Sequence, residues 1–201
     1  MDIQDQHKNQ VDINTIEKWE QDLANQYVSE NDIVLELGAR YGSVSCIINS
    51  KLNCKTNQVV VEPDDRVWEA LERNRKVNGC EFHTIRGFIS SKKLSLINLR
   101  ACYGGYGSTS IENPNTKIPS VSLEEVKAKY KLNFNVLIAD CEGFLEVFFD
   151  ENPTFYDNLR LIIFEADYPD KCDYQKIKDT LKHKGFVELL GGFQNVWKKS
   201  I

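Results

Sequence analysis

Apolar positions along the chain recur with two different periods, and the alternation between those periods predicts the architecture. Residues 11–28 place Ile13, Ile16, Trp19, Leu23 and Tyr27 at mostly helical spacing with Asp12 or Asn14 as the cap, so an amphipathic lead-in helix lying on the main body is expected. Residues 33–37 are dominated by branched apolar side chains and closed by Gly38, the pattern of a strand buried on both faces. Helical spacing returns over 42–51 through Val44, Ile47 and Ile48. A second buried strand is expected over 58–61, a charged helix over 66–78 with Val67, Leu71 and Val77 inward, and a third strand over 81–88. Strands separated by helices in this order predict a parallel sheet with crossover connections.

The pattern breaks after the third strand. Residues 90–119 carry Gly104, Gly105, Gly107, Pro114 and Pro119 among Ser, Thr and Asn, which predicts an irregular insertion with a short hairpin. Insertions of that length in a compact domain usually serve function. Ser122 and Glu125 form a capping box that opens a helix over 122–130. A fourth strand over 136–139, a short helix over 144–149, a fifth strand over 159–164 and a helix over 174–184 ended by Gly185 follow. Two further strands, 186–190 and 194–198, flank Gly191-Gly192 as a closing hairpin. The sum is an α/β domain with a Rossmann-like doubly wound sheet of about seven strands, mostly parallel with an antiparallel C-terminal edge hairpin. Residues 1–30 read as a polar leader, frayed over its first part, followed by the N-terminal helix, and residues 31–201 as the main domain.

Composition narrows the class. The 201 residues are 41% hydrophobic and 27% charged, the balance of a globular protein. No apolar run approaches the roughly 20 residues of a membrane span, and Met1 to Gln6 form neither a basic nor an apolar leader, so a cytoplasmic protein is expected. A net charge of −5 disfavours a general nucleic-acid binder and points to a neutral or small partner. The six cysteines are dispersed, without a C-x-x-C or Cys/His cluster, and read as reduced thiols.

In open α/β sheets ligands bind beyond the carboxyl ends of the strands, so the residues after each strand are the candidates. Glu36-Leu37-Gly38-Ala39-Arg40-Tyr41-Gly42 follows the first, a tight turn that starts a helix close to a ligand. Val61-Glu62-Pro63 ends the second, where an acid accepts hydrogen bonds from a ribose diol. A dinucleotide fold wants G-x-G-x-x-G, but Arg40 fills the middle position, and Glu36 would repel a pyrophosphate while attracting a methionine ammonium. These two features favour S-adenosylmethionine over NAD. Gly87 and Phe88 end the third strand and flank an adenine, unless Phe88 is simply core. Asp140, Cys141, Glu142 and Gly143 form a turn after the fourth strand, and Glu165 and Asp167 lie after the fifth. Carboxylates there orient a hydroxyl, take its proton, cap a helix, or hold Mg²⁺ or Ca²⁺ through Asp140, Glu165 and Asp167. Tyr103, Tyr106 and Ser108 in the glycine-rich insertion are candidate acceptor contacts, the tyrosines as stacking faces and the whole segment as a lid.

With these residues in view the chain resembles the FkbM-type branch of class I S-adenosylmethionine-dependent methyltransferases, from about residue 33 to Trp197. The resemblance is carried by Val34 to Gly42, Val61-Glu62-Pro63, Asn74 to Gly79, Ser120 to Leu123, Asp140-Cys141-Glu142-Gly143 and Leu181 to Phe186. It implies O-methylation of a saccharide or glycan hydroxyl, a deoxyhexose such as rhamnose being favoured, by a chain fused to or acting with glycosyltransferases. Asp140, Glu142 and Glu165 would be catalytic; Glu36, Gly38, Ala39, Tyr41, Gly42, Glu62, Gly87, Phe88 and Asp140 would hold the cofactor; and Tyr103, Tyr106, Ser108 and Asp167 would meet the acceptor. The family commonly has a lysine two residues before the aspartate, and Ile138 stands there, which shifts polar work to Asp140. Two other readings stay open: a nicotinamide-dependent sugar-modifying enzyme, against which the missing Tyr-x-x-x-Lys dyad counts, and a non-catalytic adapter with the same fold.

Overall fold

The structure, a computed structural model, describes residues 1–98 and 107–200. Its elements run α1 (Lys18–Tyr27), β1 (Val34–Leu37), α2 (Ser43–Lys51), β2 (Gln58–Glu62), α3 (Trp68–Val77), β3 (His83–Arg86), β4 (Phe88–Ile89), β5 (Leu94–Asn98) and β6 (Ser108–Glu112). The second half continues with β7 (Ser120–Val121), α4 (Leu123–Tyr130), β8 (Val136–Ala139), α5 (Leu145–Glu151), α6 (Phe155–Asn158), β9 (Leu161–Glu165), α7 (Tyr174–His183), β10 (Phe186–Leu190) and β11 (Gln194–Lys199).

Seven strands form one sheet in the order β10-β11-β9-β8-β1-β2-β3. The pairs joining β9, β8, β1, β2 and β3 are parallel, and β11 pairs antiparallel with both β9 and β10, as the sequence pattern predicts. The chain winds outward through β2 and β3, then returns to the other side of β1 with β8, so the strand order reverses between β1 and β8. That switch leaves a crevice at their carboxyl ends.

Strand parity distributes the side chains. Leu35, Leu37, Val59, Val61, Leu137 and Phe164 face a core shared with Leu123, Leu145, Phe148, Phe155, Ile177 and Leu181 from α4 to α7. Val34, Val136, Ile138 and Ile163 pack against Leu23, Ala24, Val44 and Ile48 of α1 and α2. The amino-terminal rim is tied by Asp32, 2% exposed, whose carboxylate accepts from the Arg160 guanidinium, from Ser29 N at 2.7 Å and from Asn135 Nδ2 at 3.2 Å.

Several expectations are corrected. The leader is not frayed: Ile3 is fully buried, Asn74 Nδ2 donates to Gln4 O at 2.8 Å, and Asn78 Nδ2 donates to Asp2 O at 2.7 Å. Asparagine side chains in α3 and at its C-terminal cap give the leader the partners a neighbouring strand would supply. The first helix begins at Lys18, because Glu17 takes a left-handed conformation (φ 48°) and residues 13–17 form turns, with Asp12 capping a turn through Asn14 N at 2.9 Å. Val77, expected inward, is 59% exposed, and Trp19, included in the helical spacing of the lead-in helix, is 51% exposed. The third strand is divided at Gly87, whose φ of 146° turns β4 away to pair with β7; a Cβ there would lie 2.2 Å from Pro119 O. The insertion does contain the expected hairpin, β5 with β6. Among the described residues no helix is long and apolar enough to cross a membrane, and Cys46, Cys54, Cys80, Cys141 and Cys172 are free thiols, Cys102 lying outside them.

Candidate functional site

The β1 and β8 turns cross at the switch in close contact. A Cβ on Gly38 (φ +85°) would fall 1.6 Å from Asp140 O, so only glycine lets these two segments pass. Asp140 N donates to Leu37 O at 3.0 Å and Gly38 N to Val61 O at 3.0 Å, which joins the ends of β8, β1 and β2.

A cleft of about 750 Å³, open to solvent, runs over these ends and is lined by Gly38, Arg40, Val61, Glu62, Pro63, Asp64, Phe88, Ile89, Ser108, Asp140, Glu142 and Phe144, among others. Glu62 is 6% exposed and ties the turns together: its Oε2 accepts from Ala39 N at 3.2 Å and Arg40 N at 2.6 Å, its Oε1 from Asp64 N at 2.7 Å. Burial outweighs these bonds and pushes its carboxyl up to about 7. With about four lone-pair sites on a carboxylate, Oε1 has room for one further donor. Phe88 packs on Phe144, ring centroids 5.8 Å apart, and forms the apolar wall.

Behind Gly38 lies a smaller space of about 380 Å³ that includes Glu36, Ala39, Ile138, Glu165 and Gln194. Strand parity turns Glu36 toward α2, where Ser45 Oγ donates to it at 2.7 Å and Gln58 Nε2 at 3.0 Å. At 1% exposure its carboxyl is pushed to about 8 by desolvation despite those bonds. On the other side of Asp140 a wide cavity of about 1150 Å³, open to solvent, is bordered by Thr15, Ile16, Lys18, Trp19, Glu20, Gly107, Glu165, Asp167 and Phe193, together with Glu17, Asp140 and Glu142.

Glu17 and Asp140 border all three spaces. The Ser43 hydroxyl, in the first turn of α2, donates to Glu17, and burial raises the Glu17 carboxyl to about 7. Burial, reinforced by the charge of Glu142, raises Asp140 well above the usual carboxylate range. Glu165 is pushed to about 10 by burial, by Asp140 and by its hydrogen bond with Glu20; Gln194 Nε2 donates to both acids, at 2.8 Å to Glu165. Glu142 Oε1 accepts from Gly107 N at 2.8 Å, and Tyr168 Oη donates to Gly107 O at 3.2 Å, which fastens the foot of the hairpin to the β8 turn.

Solved structures match this architecture over most of its length. An rRNA methylase from Streptococcus thermophilus aligns over 91% of this chain and 95% of its own, with TM-score 0.54 and 9% identity. The precorrin-6y C5,15-methyltransferase from Geobacter metallireducens GS-15 aligns over 90% and 87%, with TM-score 0.53 and 12% identity. The chain has a methyltransferase fold. A member of the NADB-Rossmann superfamily from Streptococcus agalactiae also matches, over 90% of this chain and 68% of its own, with TM-score 0.51 and 9% identity. No protein-family model and no curated protein matches the chain.

On this methyltransferase fold the sequence candidates divide by place. Gly38, Glu62, Phe88, Ser108, Asp140 and Glu142 line the main cleft, Glu36 and Ala39 the rear space, and Glu165 and Asp167 the wide cavity. Tyr41, Gly42 and Gly87 line none of these three spaces. Tyr41 is 6% exposed and its hydroxyl, donating to Gln6, is a partner of the leader; a Cβ on Gly42 would lie 2.8 Å from Leu71 Cδ1; and Gly87 accommodates Pro119. Tyr103 and Tyr106 lie outside the described residues. Glu17, Glu20, Trp19 and Phe193 are brought to the site without having been singled out for it, because a leader helix and a hairpin turn carry no motif.

The acids also meet a test for a cation. Oxygens of Asp140, Glu165 and Asp167 lie within 4.8 Å of one another. Asp167 Oδ1 accepts from Tyr174 Oη at 2.8 Å, while its buried Oδ2 has no hydrogen-bond partner. An all-oxygen set with an orphaned carboxylate oxygen fits a hard divalent ion.

Proposed function

We propose that the protein is an S-adenosylmethionine-dependent O-methyltransferase acting on a hydroxyl of a saccharide or glycan, with a deoxyhexose such as rhamnose as the favoured acceptor. One observation carries the reading: the cleft and the wide cavity share Glu17, Asp140 and Glu142. Two spaces meeting at a group of carboxylates suit a transfer between two ligands, one in each space.

When bound, S-adenosylmethionine supplies an electrophilic methyl group on a sulfonium centre. Glu62 Oε1 accepts a ribose hydroxyl with its remaining lone pair. Pro63, Phe88 and Ile89 form an apolar wall for the adenine. Glu17 and Asp140 offset positive charge at the methionine end, and Glu36 borders that end from behind Gly38. In its ionised form, made more basic by burial, Asp140 takes the acceptor proton as the bond forms, with Glu142 and Glu165 beside it. Holding the two reactants in line contributes roughly 7–11 kcal/mol, and a positioned base about 10²–10⁴ in rate. A divalent cation such as Mg²⁺ would be held by Asp140, Glu165 and Asp167 and would supply Lewis-acid polarisation of the acceptor oxygen.

The acceptor class rests on hydrogen bonding. The carboxyl groups around the wide cavity exchange hydrogen bonds with hydroxyls, which supports a polyhydroxyl acceptor. Such an enzyme would act beside the glycosyltransferases that assemble its acceptor.

Calorimetric titration with S-adenosylhomocysteine, with and without EDTA and with NAD as control, tests the cofactor. Micromolar binding of S-adenosylhomocysteine and none of NAD is expected; absence of binding would remove the assignment. Turnover with labelled cofactor on a saccharide panel then tests the acceptor.

A further inference from the structure

Two large aromatic side chains are half exposed at the mouth of the wide cavity, Trp19 at 51% and Phe193 at 53%. Neither is placed there by the core. The buried residues of α1 are Gln21, Leu23 and Ala24, so Trp19 is off its packed face. Phe193 sits in the turn between β10 and β11, where its carbonyl accepts from Ala166 N at 2.7 Å, so the main chain holds the turn and the ring makes no demand on it. The elements carrying the two rings are locked together: Gln194, next to Phe193, donates through Nε2 to Glu20, next to Trp19, and to Glu165 of β9 at 2.8 Å. A pair of aromatic side chains is thus held by fixed backbone beside the acids at the cavity floor.

Single exposed apolar side chains are ordinary, but two large aromatic rings bordering one cavity together form an apolar face that a ligand can cover. Their setting says what kind of partner suits them. The apolar ring faces accept the C–H face of a saturated ring, while carboxylates alongside accept the hydroxyls at its edge.

We infer that Trp19 and Phe193 are the acceptor-stacking residues, packing against a face of a pyranose ring and thereby setting which acceptors enter. The inference rests on the reading of the wide cavity as the acceptor space. Trp19 and Phe193 act on acceptor binding, not on the chemical step or on cofactor binding.

The test is calorimetric titration of the wild type, Trp19→Ala, Phe193→Ala and Trp19→Phe with methyl α-L-rhamnopyranoside in the presence of saturating S-adenosylhomocysteine. Each alanine variant is expected to weaken saccharide binding about tenfold, with Trp19→Phe retaining most of the affinity. Affinity for S-adenosylhomocysteine is expected to stay within twofold throughout, and KM for the acceptor to rise with little change in kcat. Unchanged saccharide affinity in both alanine variants, against measurable binding by the wild type, would overturn the stacking role and leave the acceptor reading standing. No binding by the wild type, with S-adenosylhomocysteine bound, would instead overturn the saccharide reading and the stacking role with it. Loss of S-adenosylhomocysteine affinity in Trp19→Ala would place the residue on the cofactor side and overturn the inference on its own.

Discussion

Gly38 and Asp140 touch through their backbones: the position a Cβ would take on Gly38 is 1.6 Å from the Asp140 carbonyl oxygen. This contact sets the depth of the switch-point crevice and holds the Asp140 turn over the end of β1. Gly38→Ala therefore combines a steric clash against main chain with a left-handed φ of +85°. The expected destabilisation is about 3 kcal/mol or more, read by chemical denaturation, with loss of cofactor binding in any fraction that folds.

Asp140 borders both the main cleft and the wide cavity and is the proposed proton-accepting group. Asp140→Asn is expected to lower turnover by about 10²–10⁴ while S-adenosylhomocysteine affinity changes only a few fold. Measuring kcat and the dissociation constant on the same preparation checks both halves; ordinary turnover would move the base role to Glu142 or Glu165.

Stability should fall as pH rises through neutrality. Glu36 and Glu62 have carboxyls raised to about 8 and about 7 by burial. Between the unfolded value near 4.5 and these folded values the native state binds more protons than the unfolded chain, so each group subtracts stability as pH climbs through that window. The melting temperature of the ligand-free protein is expected to be higher at pH 5.5 than at pH 8. Glu36→Gln, which keeps the shape and removes the titration, should flatten the decline.

The Asp32–Arg160 pair lies at the opposite rim and serves as a control for fold without function. Asp32 is 2% exposed, and its removal takes the acceptor of Ser29 N and of the Asn135 amide and one acceptor of the Arg160 guanidinium, which keeps Ser29 Oγ and Tyr27 O. Asp32→Ala is expected to cost about 1–3 kcal/mol in denaturant unfolding, with S-adenosylhomocysteine affinity preserved under conditions where the protein stays folded.

The strands and most helices were legible in the sequence because each is a local matter of period. Val34 to Leu37 and Val136 to Ala139 read as doubly buried strands, and Ser122 with Glu125 marks the start of α4 through a capping box that the structure forms on both sides. What misled the reading was contact across sequence. The leader looked frayed because its partners, Asn74 and Asn78, lie some 70 residues further along the chain, at separations of 70 and 76. A helical period through residues 13–17 did not foretell the left-handed turn at Glu17, since a spacing pattern carries no information on the sign of φ.

The site divides in the same way. By itself the sequence determined the α/β winding, the position of the acids at strand ends and therefore the rim proposed for ligand binding, because hydrophobic period and glycine punctuation are properties of consecutive residues. Only the tertiary structure decided that Glu36 turns under α2 to Ser45 and Gln58, that Gly38 admits the Asp140 turn, and that Glu17, Trp19 and Phe193 converge on that rim. Those outcomes depend on strand parity and on packing between elements distant along the chain, interactions that exist only once the sheet has brought their partners together.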